Sequence, residues 1–123
     1  MSKILGIDYG ESKVGLAISD SDTKLAVPLE IIKNEELEDK IKYFIDKELV
    51  EKIVIGLPIS LDGTDTEQTK VVREYISYLK ENFKVEIIPQ DERLSTKEAS
   101  RTGHDDDVAA MYILQTYLDS KYG

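Results

Sequence analysis

The chain has no cysteine, which excludes disulfides, thiolate nucleophiles and cysteine-ligated zinc. Any metal it binds must therefore sit on oxygen ligands or on its one histidine, His104. No apolar run approaches the roughly 18 residues that a membrane-spanning helix needs. The opening MSKILGIDYG shows neither a basic leader with an apolar stretch nor a small-residue cleavage site, so a cytoplasmic protein away from membranes is expected. Positive charge is also scarce: 16 Lys and Arg face 25 Asp and Glu, for a formal net charge of -9. That balance argues against a broad basic surface as the main grip on nucleic acid, because phosphate contacts from Lys and Arg supply most non-specific affinity. It leaves a nuclease open, since carboxylates that gather divalent cations reverse the sign of the field a phosphate meets. At 123 residues the chain is too short for two lobes with a cleft between them, so a single domain over 1–123 is expected. Its 41% hydrophobic and 33% charged residues suit a folded globular chain.

Hydrophobic patterning predicts the elements. KILGIDY (3–9) and KVGLAISD (13–20), joined by Gly10-Glu11-Ser12, predict an antiparallel hairpin. AVPLEII (26–32) predicts a third strand, which Pro28 restricts to an edge or a bulge. Asn34 is a candidate cap for a helix whose apolar face is Leu37, Ile41, Phe44, Ile45 and Leu49. KIVIGL (52–57) reads as a buried parallel strand released at Pro58 into the loop ISLDG. Thr64 and Glu67 have capping-box spacing before a second helix that buries Val71, Val72, Tyr75, Ile76 and Leu79 and ends near Asn82. KVEIIP (84–89) is the fifth strand. Ser95 and Glu98 mark a short helix, and a last helix runs from Asp106 to about Leu118 with Ala110, Ile113, Leu114 and Tyr117 available for packing. The order β-β-β-α-β-α-β-α-α implies an α/β domain: a mixed five-stranded sheet, an antiparallel meander followed by two parallel strands, flanked by helices.

Three acidic clusters stand out against this frame. Asp8 lies in an apolar run expected to form a central strand, where an unpaired carboxylate costs several kcal/mol, so a cation must compensate it or the residue caps the turn through Gly10. Asp91, Glu92 and Arg93 follow the fifth strand at its C-terminal end, the edge where ligands gather in open α/β sheets; a solvated turn is the alternative. His104, Asp105, Asp106 and Asp107 precede the last helix, where one acid can serve as N-cap and three exceed what capping requires. The clusters converge if the first strand neighbours the strand bearing DER and the last helix crosses their ends. Oxygen ligands of this kind suit Mg2+ or Mn2+, and a pair of such ions can cleave a phosphodiester without a nucleophilic side chain.

Taken in order, Gly6-Ile7-Asp8-Tyr9-Gly10, Lys13-Val14-Gly15-Leu16-Ala17 with Ser19-Asp20, Ile55-Gly56-Leu57-Pro58, Asp91-Glu92-Arg93-Leu94-Ser95-Thr96, and Asp106-Asp107-Val108-Ala109-Ala110 with Ile113-Leu114-Gln115 and Tyr117-Leu118 resemble the YqgF (RuvX) family along essentially the whole chain. The resemblance implies an RNase H-like fold, a cytoplasmic nuclease maturing the 5′ end of pre-16S rRNA, and divalent-metal catalysis. It puts the metal-binding and catalytic acids on Asp8, Glu92 and Asp106, with Asp105 or Asp107 as alternatives for the last, and implies Lys13 and Arg93 as contacts to the substrate phosphate. Two departures stand out. Lys13 replaces the family's usual arginine and loses bidentate phosphate recognition, and KEASRTGHD between Thr96 and Asp106 is shorter and less basic than its counterpart. A structured RNA is the expected partner of this monomer or homodimer. Alternatives are a Holliday-junction-resolvase-like enzyme on branched DNA, a non-catalytic module that kept the fold, and an actin-like ATPase, which would need a second lobe.

Overall fold

A computed structural model of the chain describes residues 3–20, 22, 24–92 and 106–122. Five strands form one sheet in the order β3-β2-β1-β4-β5: β1 is Lys3–Asp8, β2 Lys13–Asp20, β3 Val27–Lys33, β4 Val50–Leu57 and β5 Glu86–Asp91. β1, β2 and β3 form an antiparallel meander, whereas β4 pairs parallel with β1 and β5 parallel with β4. This is the mixed sheet expected. One feature of the expected convergence is not met: β4 lies between β1 and the DER-bearing β5, because the helical crossover from β3 delivers β4 to the free side of β1 first.

Helix α1 (Leu37–Asp46) follows a 3-10 turn at Asn34–Glu36, α2 spans Glu67–Asn82, and α3 spans Asp106–Tyr122. The two-residue period of the strands divides the core cleanly. Leu5, Ile7, Val14, Leu16, Ile53 and Ile55 pack on one face with Leu37 and Ile41 of α1 and Val72, Ile76 and Leu79 of α2. Ile4, Ala17 and Val54 pack on the other face with Ala110, Ile113, Leu114, Tyr117 and Leu118 of α3. β1 and β4 are covered on both faces, which explains their unbroken apolar runs. Pro28 does lie on the edge strand, beside a register shift in the β2–β3 ladder.

Four local expectations are corrected. Asn34 does not cap α1; its Nδ2 donates to the Gly10 carbonyl (2.7 Å) and its N–H to the Ser12 carbonyl (2.9 Å), so it fastens the β1–β2 turn instead. Leu49 falls beyond the helix at φ 59° and is 68% exposed, so the apolar period overran the real helix end. Helix α2 is capped by Thr66 with Thr69, not by Thr64 with Glu67: the Thr69 N–H donates to Thr66 Oγ1 (3.2 Å) and the Thr66 N–H to Thr69 Oγ1 (2.9 Å). The strand over 84–89 begins and ends two residues later than expected, so Asp91 still belongs to β5. The short helix expected after Ser95 lies outside the described residues.

Candidate functional site

The face covered by α3 carries unusually little side-chain volume along the middle of the sheet. At Gly6 a Cβ would stand 2.8 Å from Leu114 Cβ and 3.2 Å from the Ala110 carbonyl oxygen, so the bare backbone lets α3 approach closely. Alternation from Ile4 through Gly6 puts Asp8 on this same face, at the last position of β1, opposite Gly15 of β2.

Glu92 reaches this face from the other side of β4. Its N–H donates to the Leu57 carbonyl (3.1 Å), which turns the chain back over the end of β4 immediately after β5. The side chain then lies over Gly56: a Cβ there would be 2.8 Å from both Glu92 Cγ and Cδ and 2.5 Å from Ile113 Cδ1. Gly56 is one residue past the Ile7–Ile55 pair and therefore beside Asp8, on a strand roughly 4.8 Å away. Glu92 is only 9% exposed. Asp8 and Glu92 are thus brought to neighbouring positions at the C-terminal ends of β1 and β4, and Glu92 crosses the intervening strand where that strand bears a glycine.

Asp106 is the first residue of α3. Gln115 fixes the direction of that helix: its Oε1 accepts from the Ala26 N–H (2.9 Å) and its Nε2 donates to the Lys24 carbonyl (3.2 Å), at the end of the sheet where β1 begins. Ala110 and Leu114 lie on Gly6, so the helix runs backward from there toward the Asp8 end of β1. The backbone start of α3 is thereby carried to the edge that holds Asp8 and Glu92. The carboxylates of Asp106 and Asp107, together with Arg93, His104 and Asp105, lie outside the described residues. Among the described residues no three His, Asp or Glu gather closely enough to hold a metal ion. Lys13 opens β2 on the same face as Gly15 and is exposed beyond Asp8.

The surroundings of this edge are braced. Tyr9, next to Asp8, stacks on Tyr75 of α2 with ring centroids 4.4 Å apart, and Tyr75 stacks in turn on Tyr78 (5.9 Å). Burial pushes the Tyr75 phenol well above its ordinary value, so it stays protonated. In the loop after β4, the Asp62 carboxylate accepts from the Ser60 hydroxyl, the Thr64 N–H (3.0 Å) and the Thr64 hydroxyl (2.7 Å). These donors, the Ser60 hydroxyl first, hold Asp62 down at about 2. Gly63 at φ 89° closes the turn, and Arg73 clamps Asp65 through two hydrogen bonds of 2.8 and 3.1 Å. The sequence singled out Gly56 only as part of a motif; its small size, followed by a strand end, was the available signal that something packs across it.

The family model described as RuvX, Holliday junction resolvase, matches residues 2–120. A protein of Sulfurihydrogenibium sp. (strain YO3AOP1), provisionally named a pre-16S rRNA nuclease, is 40% identical over 132 aligned positions that cover 97% of this chain and 91% of that protein. One of Rickettsia rickettsii (strain Sheila Smith) with the same provisional name is 37% identical, covering 95% and 86%. The alignments run longer than the chain itself, so these relatives carry residues it lacks. Among solved structures, T. thermophilus RuvC in complex with a Holliday junction substrate superposes with a TM-score of 0.61 at 12% identity, covering 100% of this chain and 97% of that one. Fowlpox virus resolvase in complex with Holliday junction DNA gives 0.56 at 12% identity, covering 98% and 99%. The fold is therefore that of the RuvC-like resolvases, the RNase H-like architecture expected from the motifs.

Proposed function

The chain belongs to the RuvX family, and from that premise we propose that it is a divalent-metal-dependent endonuclease that matures the 5′ end of pre-16S rRNA, working in the cytoplasm as one domain over residues 1–123. The observation that carries this reading is Glu92 folded back over Gly56 beside Asp8, two acids supplied by different strands to one point at the C-terminal edge of the sheet. A capping or merely solvated acid has no need of such a seat, and Glu92 is only 9% exposed there.

The donor set fits a hard cation, because every ligand it offers is a carboxylate oxygen. Asp8, Glu92 and Asp106 would hold Mg2+ or Mn2+, with Asp105 or Asp107 able to take the place of Asp106. When bound, a pair of ions supplies an activated water and stabilises the leaving oxygen of the phosphodiester. The chain's own residues do the positioning. Asp8 stands at the end of a central strand that cannot shift without disturbing both layers of the core. Glu92 is held by its N–H to the Leu57 carbonyl and seated over Gly56. Lys13 and Arg93 meet the negative charge of the phosphate.

A second reading, cleavage of branched DNA, is favoured by the description of the matching family model as a Holliday junction resolvase. The experiment that separates the two is cleavage of a labelled pre-16S 5′-leader RNA beside a four-way DNA junction, each with Mg2+, with Mn2+ and with EDTA. Metal-dependent cleavage of the RNA alone is the expected result. Cleavage of the junction alone establishes the second reading, and cleavage of neither, together with no site-specific Mn2+ binding by calorimetry, contradicts both and leaves a binding module.

A further inference from the structure

Lys13 and Lys33 face each other directly across the β2–β3 ladder. The bond from the Asn34 N–H to the Ser12 carbonyl, flanking this pair from outside, marks it as a non-hydrogen-bonded pair, the kind whose Cα atoms lie about 4.5 Å apart and whose side chains are closest. Like charges so placed repel and destabilise the pair. Neither Lys13 nor Lys33 has a carboxylate within ion-pair distance among the described residues. Glu36 stands beside the pair, accepting from the backbone N–H of Lys33 at 3.2 Å and lining an open depression with both lysines, so its charge offsets part of the repulsion without an ion pair. Glu11 and Glu35, which with Ser12, Lys13, Lys33 and Asn34 line an open depression of about 420 Å³, are exposed to solvent.

The position of the pair matters as much as its charge. Val14 and Ile32 point into the core beneath α1 and α2, so Lys13 and Lys33 point to the opposite face, the one that carries Asp8 and Glu92. From the Asp8–Gly15 pair, Lys13 lies two residues further toward the C-terminal edge, roughly 7 Å along the strand, and Lys33 one strand further out. A chain of phosphates crossing the acidic pair along this edge would next meet two adjacent ammoniums.

We infer that Lys33 forms with Lys13 a paired-ammonium site for the phosphodiester backbone of the RNA, one to two strands away from the cleavage point. Bridging by a phosphate relieves the remaining cross-strand repulsion between the two ammoniums. The assignment of Lys33 rests on the nuclease reading above for its ligand, and on the β2–β3 register for its geometry.

The test is fluorescence anisotropy of labelled pre-16S 5′-leader RNA, with Ca2+ in place of Mg2+, over a series of KCl concentrations. Removing one ammonium–phosphate pairing lowers the slope of log affinity against log salt by about 0.7 for single-stranded regions, which is about fivefold in affinity at 0.1 M salt. Lys33→Ala is expected to show that decrease, Lys33→Arg to restore both slope and affinity, and Lys13→Ala combined with Lys33→Ala to show two such decrements. A Lys33→Ala protein with wild-type slope and affinity overturns the site while leaving the nuclease reading intact. Wild-type protein that does not bind the RNA at all overturns the reading and the site together, and a Lys33-dependent slope seen only with a four-way DNA junction overturns the RNA assignment.

Discussion

Gly56→Ala tests the seat of Glu92 without removing any functional group. The added Cβ would lie 2.5 Å from Ile113 Cδ1 and 2.8 Å from Glu92 Cγ and Cδ, all closer than such atoms approach in folded proteins. Ile113 of α3 is 1% exposed in the core and cannot retreat far, so most of the movement falls on the Glu92 side chain. Overpacking at one buried position costs about 1–3 kcal/mol. For a chain of this length that lowers Tm by roughly 4 °C per kcal/mol, so a fall of about 4–12 °C is expected. The activity loss should be larger than the stability loss implies, because displacing a reacting group by about 1 Å costs on the order of a hundredfold. Cleavage should be measured well below the variant's Tm, where both proteins are fully folded, alongside a thermal melt by circular dichroism. A Gly56→Ala protein that melts lower and cleaves at the wild-type rate would refute the placement of Glu92 in the reaction. One that neither melts lower nor cleaves less would refute the packing itself.

The stack of Tyr9 on Tyr75 should be worth about 0.5–1.5 kcal/mol beyond the area it buries. Tyr75→Leu, which keeps apolar volume, is therefore expected to lower the urea-unfolding free energy by about that amount, and an unchanged midpoint would show that the stack contributes nothing. Asp62 titrates at about 2 in the folded loop against an ordinary 3.8. A depressed carboxyl pKa means that its hydrogen bonds to Ser60 and Thr64 stabilise the loop fully above about pH 4 and are lost as pH falls toward 2. The Thr64 amide resonance should report that transition with a midpoint near 2, whereas a midpoint near the ordinary value contradicts the bonding pattern.

The strands were legible because each is short, apolar and bounded by a turn, and β1 and β2 begin where the pattern predicts. Helix ends were less so. Thr64 with Glu67 and Thr66 with Thr69 both offer hydroxyls at capping distance in sequence, and the choice fell to Thr66, since Thr69 also donates to the Pro58 carbonyl and so anchors the loop to the helix. The apolar period ran on through Leu49 because periodicity carries no information about the left-handed residue that ends the segment. Strand order was illegible for a different reason: pairing is decided by which edge each crossover reaches, and no local pattern marks β4 as the strand between β1 and β5. For the site, a charge inside an apolar strand exposed Asp8. The nearness of Glu92 depends on the β1–β4 register and on a glycine in the third strand involved, which a linear reading cannot assemble. The cross-strand meeting of Lys13 and Lys33, twenty positions apart in sequence, was hidden likewise.

In the proposed metal-assisted cleavage Asp8 and Glu92 act as one unit. Single-turnover cleavage of the 5′-leader RNA in Mn2+, compared among wild type, Asp8→Asn, Glu92→Gln and the double variant, tests it most directly. Residues that act together are strongly non-additive. Each single variant should lose nearly all metal-dependent cleavage while keeping a cooperative melt, and the double variant should be no worse than either. Full activity in either single variant, or losses that multiply in the double, would show that the two acids do not act together.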